Sequence, residues 1–156
     1  MTDLAEAQLE SFIVKFEPEV AAVTRAARAI MRRRFPTALE LVYDNYNFLA
    51  VGYCSSERAS DCIVSLAVGP RGVVLSFYYG ASVPDPTGRL LGSGNQNRFV
   101  RLDTAETLLE PVVEALIAAA AAQAKRPLPA DGEGQLIIKS VSAKQRPRRP
   151  SPAGVR

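Results

Sequence analysis

The stretch Leu39 to Tyr79, LELVYDNYNFLAVGYCSSERASDCIVSLAVGPRGVVLSFYY, decides the fold. Leu39, Leu41 and Tyr43 alternate with Glu40 and Val42, and Asp44-Asn45 is a turn signal, so a first strand opens here. Phe48 to Cys54, Ile63 to Val68 and Val73 to Tyr79 are short runs rich in β-branched and aromatic residues. Such residues fit a pleated, half-buried surface. The connections SSERASD and GPRG are short and turn-forming, which predicts an antiparallel meander.

Upstream the apolar period lengthens from two to between three and four. Leu9, Phe12, Ile13 and Phe16 make one stripe along a helix over residues 5–15. Pro18 suits the first turn of a second helix, whose Val20, Val23, Ala27, Ile30 and Met31 share a face until Phe35-Pro36 ends it. Arg32, Arg33 and Arg34 then sit in a last turn, opposite the negative end of the dipole. Downstream, Gly80 to Asn97 is an eighteen-residue connection with four Gly and two Pro, longer than most loops in a compact domain and therefore either mobile or functional. Arg98 to Leu102 adds a strand, and Asp103 to Glu106 offers a helix cap. Pro111 opens a final helix that runs to about Lys125 with Val112, Val113, Leu116, Ile117 and Ala120 on one face. Gln135 to Val141 reads as an edge strand. The pattern predicts an α+β fold: an antiparallel sheet of five to six strands with two N-terminal helices and one C-terminal helix packed on it.

The chain has 156 residues, 47% hydrophobic and 22% charged, which suits one domain, placed at 1–142. No apolar run approaches the ~20 residues of a membrane span. The start, MTDLAEAQLE, carries acids where a secretory signal carries bases, which predicts a cytoplasmic protein. With no His and only Cys54 and Cys62, the chain cannot build a His-relay hydrolase, a His metalloprotease or a Cys-rich zinc module. The two cysteines read as reduced core thiols. Residues 1–124 hold 11 Lys and Arg against 14 Asp and Glu, whereas 125–156 hold 8 against 2. The basic excess therefore belongs to the C-terminal segment. Pro147, Pro150 and Pro152 among those bases predict a disordered tail over 143–156.

Three groups of residues could carry chemistry. Gly92-Ser93-Gly94 is half of a phosphate-binding glycine fingerprint, but Asn97 stands where the third glycine belongs. Asp85, Ser93, Gln96 and Arg98 nevertheless bring polar groups to that loop. Tyr43, Asp44 and Tyr46 crowd one turn, and Glu57, Arg58 and Asp61 another. Asx turns and a surface Glu57/Arg58 pair account for these without a ligand. Asp3, Glu6 and Glu10 recur three and four apart on the first helix, a hard-cation ligand set or a solvated face beside the positive dipole end.

The motifs YDNYN (Tyr43 to Asn47), SERASD (Ser56 to Asp61), GASVPDPTGRLLGSGNQNRFVRL (Gly80 to Leu102) and IIKSVSAKQRPRRP (Ile137 to Pro150) together resemble the YdhG-like family, domain of unknown function 1801. The resemblance covers nearly the whole chain. It implies a frataxin-like α+β fold and, through one branch associated with intracellular iron delivery, iron as the metal to test. The family has no settled catalytic motif, so no role passes to a residue here. The resulting expectation is a non-catalytic binding or carrier protein, with Asp3, Glu6 and Glu10 as metal ligands. The rival is a small-molecule or anion-binding enzyme or sensor that uses the 80–98 loop, with Tyr43, Asp44, Tyr46, Asp61, Asp85, Ser93, Gln96, Arg98 and Lys139 around the ligand. Nucleic-acid contact through the tail is a third reading; an acidic body and a tail without interleaved aromatics speak against it.

Overall fold

The computed structural model describes residues 3–150. Helices α1 (Asp3–Ile13) and α2 (Pro18–Arg34) precede strands β1 (Leu39–Asp44), β2 (Leu49–Cys54), β3 (Cys62–Gly69), β4 (Gly72–Phe77) and β5 (Arg98–Leu102). Helix α3 (Pro111–Ala122) and strand β6 (Gln135–Val141) follow, and short 3-10 turns occupy Ala59–Asp61, Gly80–Ser82 and Ala105–Leu109. All six strands form one sheet in the order β5-β4-β3-β2-β1-β6. The predicted α+β class and helix placement hold, and β1 to β5 are the expected antiparallel meander.

The sheet is mixed rather than wholly antiparallel, because β6 lies parallel to β1. β1 and β5 run in the same direction, so a chain that leaves β5, recrosses the sheet along α3 and re-enters at the far edge must run parallel to β1. Parallel neighbours need a crossover of that kind. The return is tight: Gly134 N–H donates to Pro36 O at 2.8 Å, and a Cβ at Gly134 would collide with the Ala38 carbonyl oxygen.

Register explains the core. Val42, Val51, Leu66, Leu75 and Val100 are successive cross-strand partners and form one buried row on the helix-covered face. Leu9, Phe12, Ile13 and Phe16, then Met31, Val113, Leu116 and Ile117, pack over it. Burying each such side chain contributes roughly 1.5–3 kcal/mol. The core-facing stripe of α2 is rotated from the predicted one: Ala21, Thr24, Ala27 and Met31 are buried, while Val20, Val23 and Ile30 pack only at its margin. Small residues let the helix come close to a sheet already filled by Leu and Val, and the Thr24 hydroxyl donates to Val20 O at 2.8 Å. The alternate row, Leu41, Gly52, Ser65, Ser76 and Phe99, points away from the helices. α3 ends at Ala122, before Lys125, and the expected cap at residues 103–106 is instead followed by the Ala105–Leu109 turn, so that Glu110 precedes Pro111 at the helix start.

The C-terminal segment differs from the expectation of disorder over residues 143–150. Ser142 N–H and Gln145 Nε2 donate to Asp44 O, and Arg146 N–H donates to Tyr46 O at 2.8 Å. The Arg148 guanidinium is buried, donating to Asp44 Oδ1 at 2.8 Å and Asn45 O at 2.7 Å above the Phe16 ring. Arg149 donates to Lys15 O at the end of α1. A buried carboxylate at the end of β1 requires a charged partner, and the basic segment supplies it. The rest of the predicted tail, 151–156, lies outside the described residues.

Candidate functional site

The predicted ligand residues do not converge. Asp44 is buried beneath Arg148 at one end of the sheet, and Tyr46 lies half-exposed beside the Arg146 guanidinium. Asp61 belongs to the opposite end, in the turn before β3. Tyr43 stands on the face away from the helices, where burial, with Cys54, Cys62 and Tyr78 nearby, pushes its phenol above the ordinary value. Lys139 pairs with Glu57 at 3.3 Å, so the Glu57/Arg58 pair read from the sequence is replaced by one between β6 and the 55–61 turn. Within the long loop, Asp85 accepts from the N–H groups of Arg89 and Leu90, both at 2.9 Å. Gln96 O accepts from Ala81 N–H, Ser93 is exposed, and Arg98 donates to the carbonyls of Gly94 and Asn97. Leu91 and Phe99 exchange two backbone hydrogen bonds, while Val83 and Leu90 join the core. Most of the loop's polar groups bond within it or to its flanks, while Arg89 donates to Glu110 and Asn97 Oδ1 accepts from Ser76 Oγ.

The first-helix acids are engaged as well. Glu6 forms a bidentate pair with Arg28 at 2.8 Å, and Glu10 accepts from Arg25. Asp3 begins α1, but its side chain lies outside the described residues. Arg28 also reaches the buried Glu40, whose Oε2 accepts from the Tyr53 hydroxyl at 2.8 Å. The hydrogen-bonded Arg28 guanidinium holds the Glu6 carboxyl below its usual value, and burial drives the Tyr53 phenol well up. Carboxylates locked to guanidinium groups are poor hard-cation ligands. Among the described residues, no group of three His, Cys, Asp or Glu is placed to hold a metal ion.

Unpaired charge separates the cavities, since the three arginines around one of about 260 Å³ between α1 and α2 are already bonded to Glu6, Glu10 and Glu40. A groove of about 640 Å³ at the β3–β4 hairpin has Glu19 and Asp103 against Arg71 and Arg101. A cleft of about 510 Å³ between α2 and β6 has Glu40 and Glu133 against Arg32 and Arg33. The last, about 330 Å³, lies between the 58–63 segment and the end of α3, with Arg58, Lys125 and Arg126 against Asp61 alone. The Asp61 carboxylate accepts from Ser56 Oγ at 2.6 Å, and no carboxylate among the described residues pairs with Arg58, Lys125 or Arg126. The walls are tied down: Tyr79 Oη donates to Ser60 O at 2.8 Å, Gln123 Nε2 donates to Tyr79 O at 3.1 Å, and Asp61 N–H donates to Arg58 O.

Of this constellation the sequence reading singled out only Asp61 as a ligand residue. Arg58 reads as half of a surface pair and Lys125 as a helix end, while Arg126 falls with Pro127 where the composition shifts. The available signal is that neither Lys125 nor Arg126 has an acid three or four positions before it on α3. Among the described residues, no helix is long and apolar enough to cross a membrane. The chain matches no family model, no curated protein and no solved structure.

Proposed function

We propose that this is a non-catalytic binding protein whose ligand is a small anion held between the 58–63 turn and the end of α3. The observation that carries this reading is the excess of three cations over one internally bonded carboxylate around a cavity large enough for a small molecule. Uncompensated like charges repel one another, so an anion that bridges them relieves the repulsion and makes charge-assisted hydrogen bonds. Two or three such bonds at about 1.5–3 kcal/mol each correspond to dissociation constants in roughly the millimolar to micromolar range. That affinity suits exchange of a carried or sensed ligand. The anion replaces iron in the carrier reading because Glu6 and Glu10 are already paired with Arg28 and Arg25. Tail-mediated nucleic-acid contact loses support for the same reason, since Arg148 and Arg149 bond within the molecule.

The test is thermal unfolding at fixed ionic strength in inorganic phosphate, pyrophosphate or citrate, with the wild type beside Arg58→Ala/Arg126→Ala. At least one anion should raise the wild-type melting temperature progressively, with the logarithm of its concentration, and the double variant should lose that rise. A ligand present at about 100 times its dissociation constant adds about 2.7 kcal/mol. If no anion stabilises the wild type, or if the double variant responds equally, the reading fails.

A further inference from the structure

We propose that Cys54 and Cys62 form a reversible intramolecular disulfide, with Cys62 as the thiol that meets the oxidant and Cys54 as the one that resolves it. The two residues are cross-strand partners, at the point where the β2–β3 register shifts and Ile63 is left unpaired. Directly opposed antiparallel residues have Cα atoms about 4.5–5.5 Å apart, within the span of about 4.4–6.8 Å that a disulfide bridges. Both sulfurs gather over Gly52: a Cβ built there would stand 3.2 Å from Cys62 Sγ and 3.5 Å from Cys54 Sγ. The missing side chain leaves the space in which the two thiols meet.

Exposure sets the order of events. Cys54 is buried and Cys62 partly exposed. The neighbouring Cys62 thiol and burial push the Cys54 thiol above its ordinary value, which disfavours its thiolate. Thiol oxidation follows thiolate character and access. With hydrogen peroxide as the oxidant, the Cys62 thiolate attacks one peroxide oxygen and the O–O bond breaks. The departing hydroxide takes up the thiol's proton as water and leaves a sulfenic acid. Cys54 sulfur then attacks Cys62 sulfur, the S–O bond breaks, and the hydroxyl leaves with the Cys54 proton as a second water. Two thiols lose two electrons, and peroxide gains them.

The experiment uses the full, folded, reduced chain. Hydrogen peroxide is added and then removed with catalase; the protein is unfolded with iodoacetamide, and its peptides are mapped by mass spectrometry without reduction. The expected result is a monomer in which the Cys54 and Cys62 peptides are joined, lighter by two hydrogens than the reduced chain, with both alkylatable thiols lost and both recovered in dithiothreitol. In Cys54→Ser, dimedone should trap a sulfenic acid on Cys62. Two thiols still alkylatable after peroxide, a disulfide only between chains, or Cys62 carried to sulfinic acid while Cys54 stays free would each overturn the proposal. The wild-type map alone decides it if the variant does not fold, and the covalent readout is independent of anion binding in the cavity.

Discussion

The 80–97 loop and the 142–150 segment have similar compositions, rich in Gly or Pro and in polar side chains, yet they are ordered by opposite means. The loop is held mainly by its own neighbours: Asp85 bonds residues four and five positions away, Arg98 bonds residues one and four positions away, and its longer ties, Arg89 to Glu110 and Ser76 to Asn97, are exposed and span only 21 residues. The C-terminal segment is held by Asp44, 104 residues before Arg148. Local bonding leaves a trace in composition, because Asp and Gly are turn formers. A distant partner leaves none. The difference also sorts the two regions by energy, since exposed local bonds substitute for water whereas a buried ion pair broken on one side strands a charge.

The largest expected effect falls on the segment. Arg148→Ala should lower the unfolding free energy by about 3–5 kcal/mol in urea, because it leaves the Asp44 carboxylate buried with only Lys15 Nζ at 3.7 Å. Asp44→Ala/Arg148→Ala should cost less than the sum of the single changes. Removing residues 143–156 should lower the melting temperature by many degrees, and an unchanged melting temperature would break the comparison. Asp85→Ala comes next at about 1–2 kcal/mol, the usual loss when a carboxylate acceptor of backbone N–H groups is removed. If it matched Arg148→Ala, the loop too would depend on something distant. Arg98→Ala should cost less than about 1 kcal/mol, since its acceptors are exposed backbone carbonyls. It should also leave any anion-induced stabilisation intact.

The smallest effect sets a reference outside both regions. Glu6 titrates below its ordinary 4.5 because Arg28 favours its ionised form, so the pair's contribution is fully present above pH 4.5 and is lost as pH falls through the lowered folded value. Glu6→Gln should therefore melt slightly below wild type at pH 7, and the gap should close below pH 4.5. A gap that persists in acid would mean that Gln disturbs packing rather than charge.

The sheet was legible because its signals are local. Alternation in β2 to β4, turn residues at 55–61 and 69–72, and prolines at the starts of α2 and α3 each act within a few positions. The edge position of β6 could be read from the chain, but its direction depends on α3 recrossing the whole sheet. The candidate cavity was not legible because Arg58 comes from one hairpin and Lys125 and Arg126 from the end of a helix, and each alone looks like an ordinary solvated base. Burial of Arg148 was hidden more deeply still, since its partner reads as a turn residue.

The β5-to-β6 strand order leaves two borders along which a foreign strand could add. At the β5 border, Leu91 already exchanges both backbone bonds with Phe99, so the chain occupies its own docking line. At the β6 border, the ladder slips between Val42 and Tyr43, which leaves Lys139 out of register and bonded to Glu57 instead. An interrupted, charged border is a poor template for an incoming strand. The same irregularity that looks like a defect in pairing works against sheet-to-sheet aggregation at high concentration.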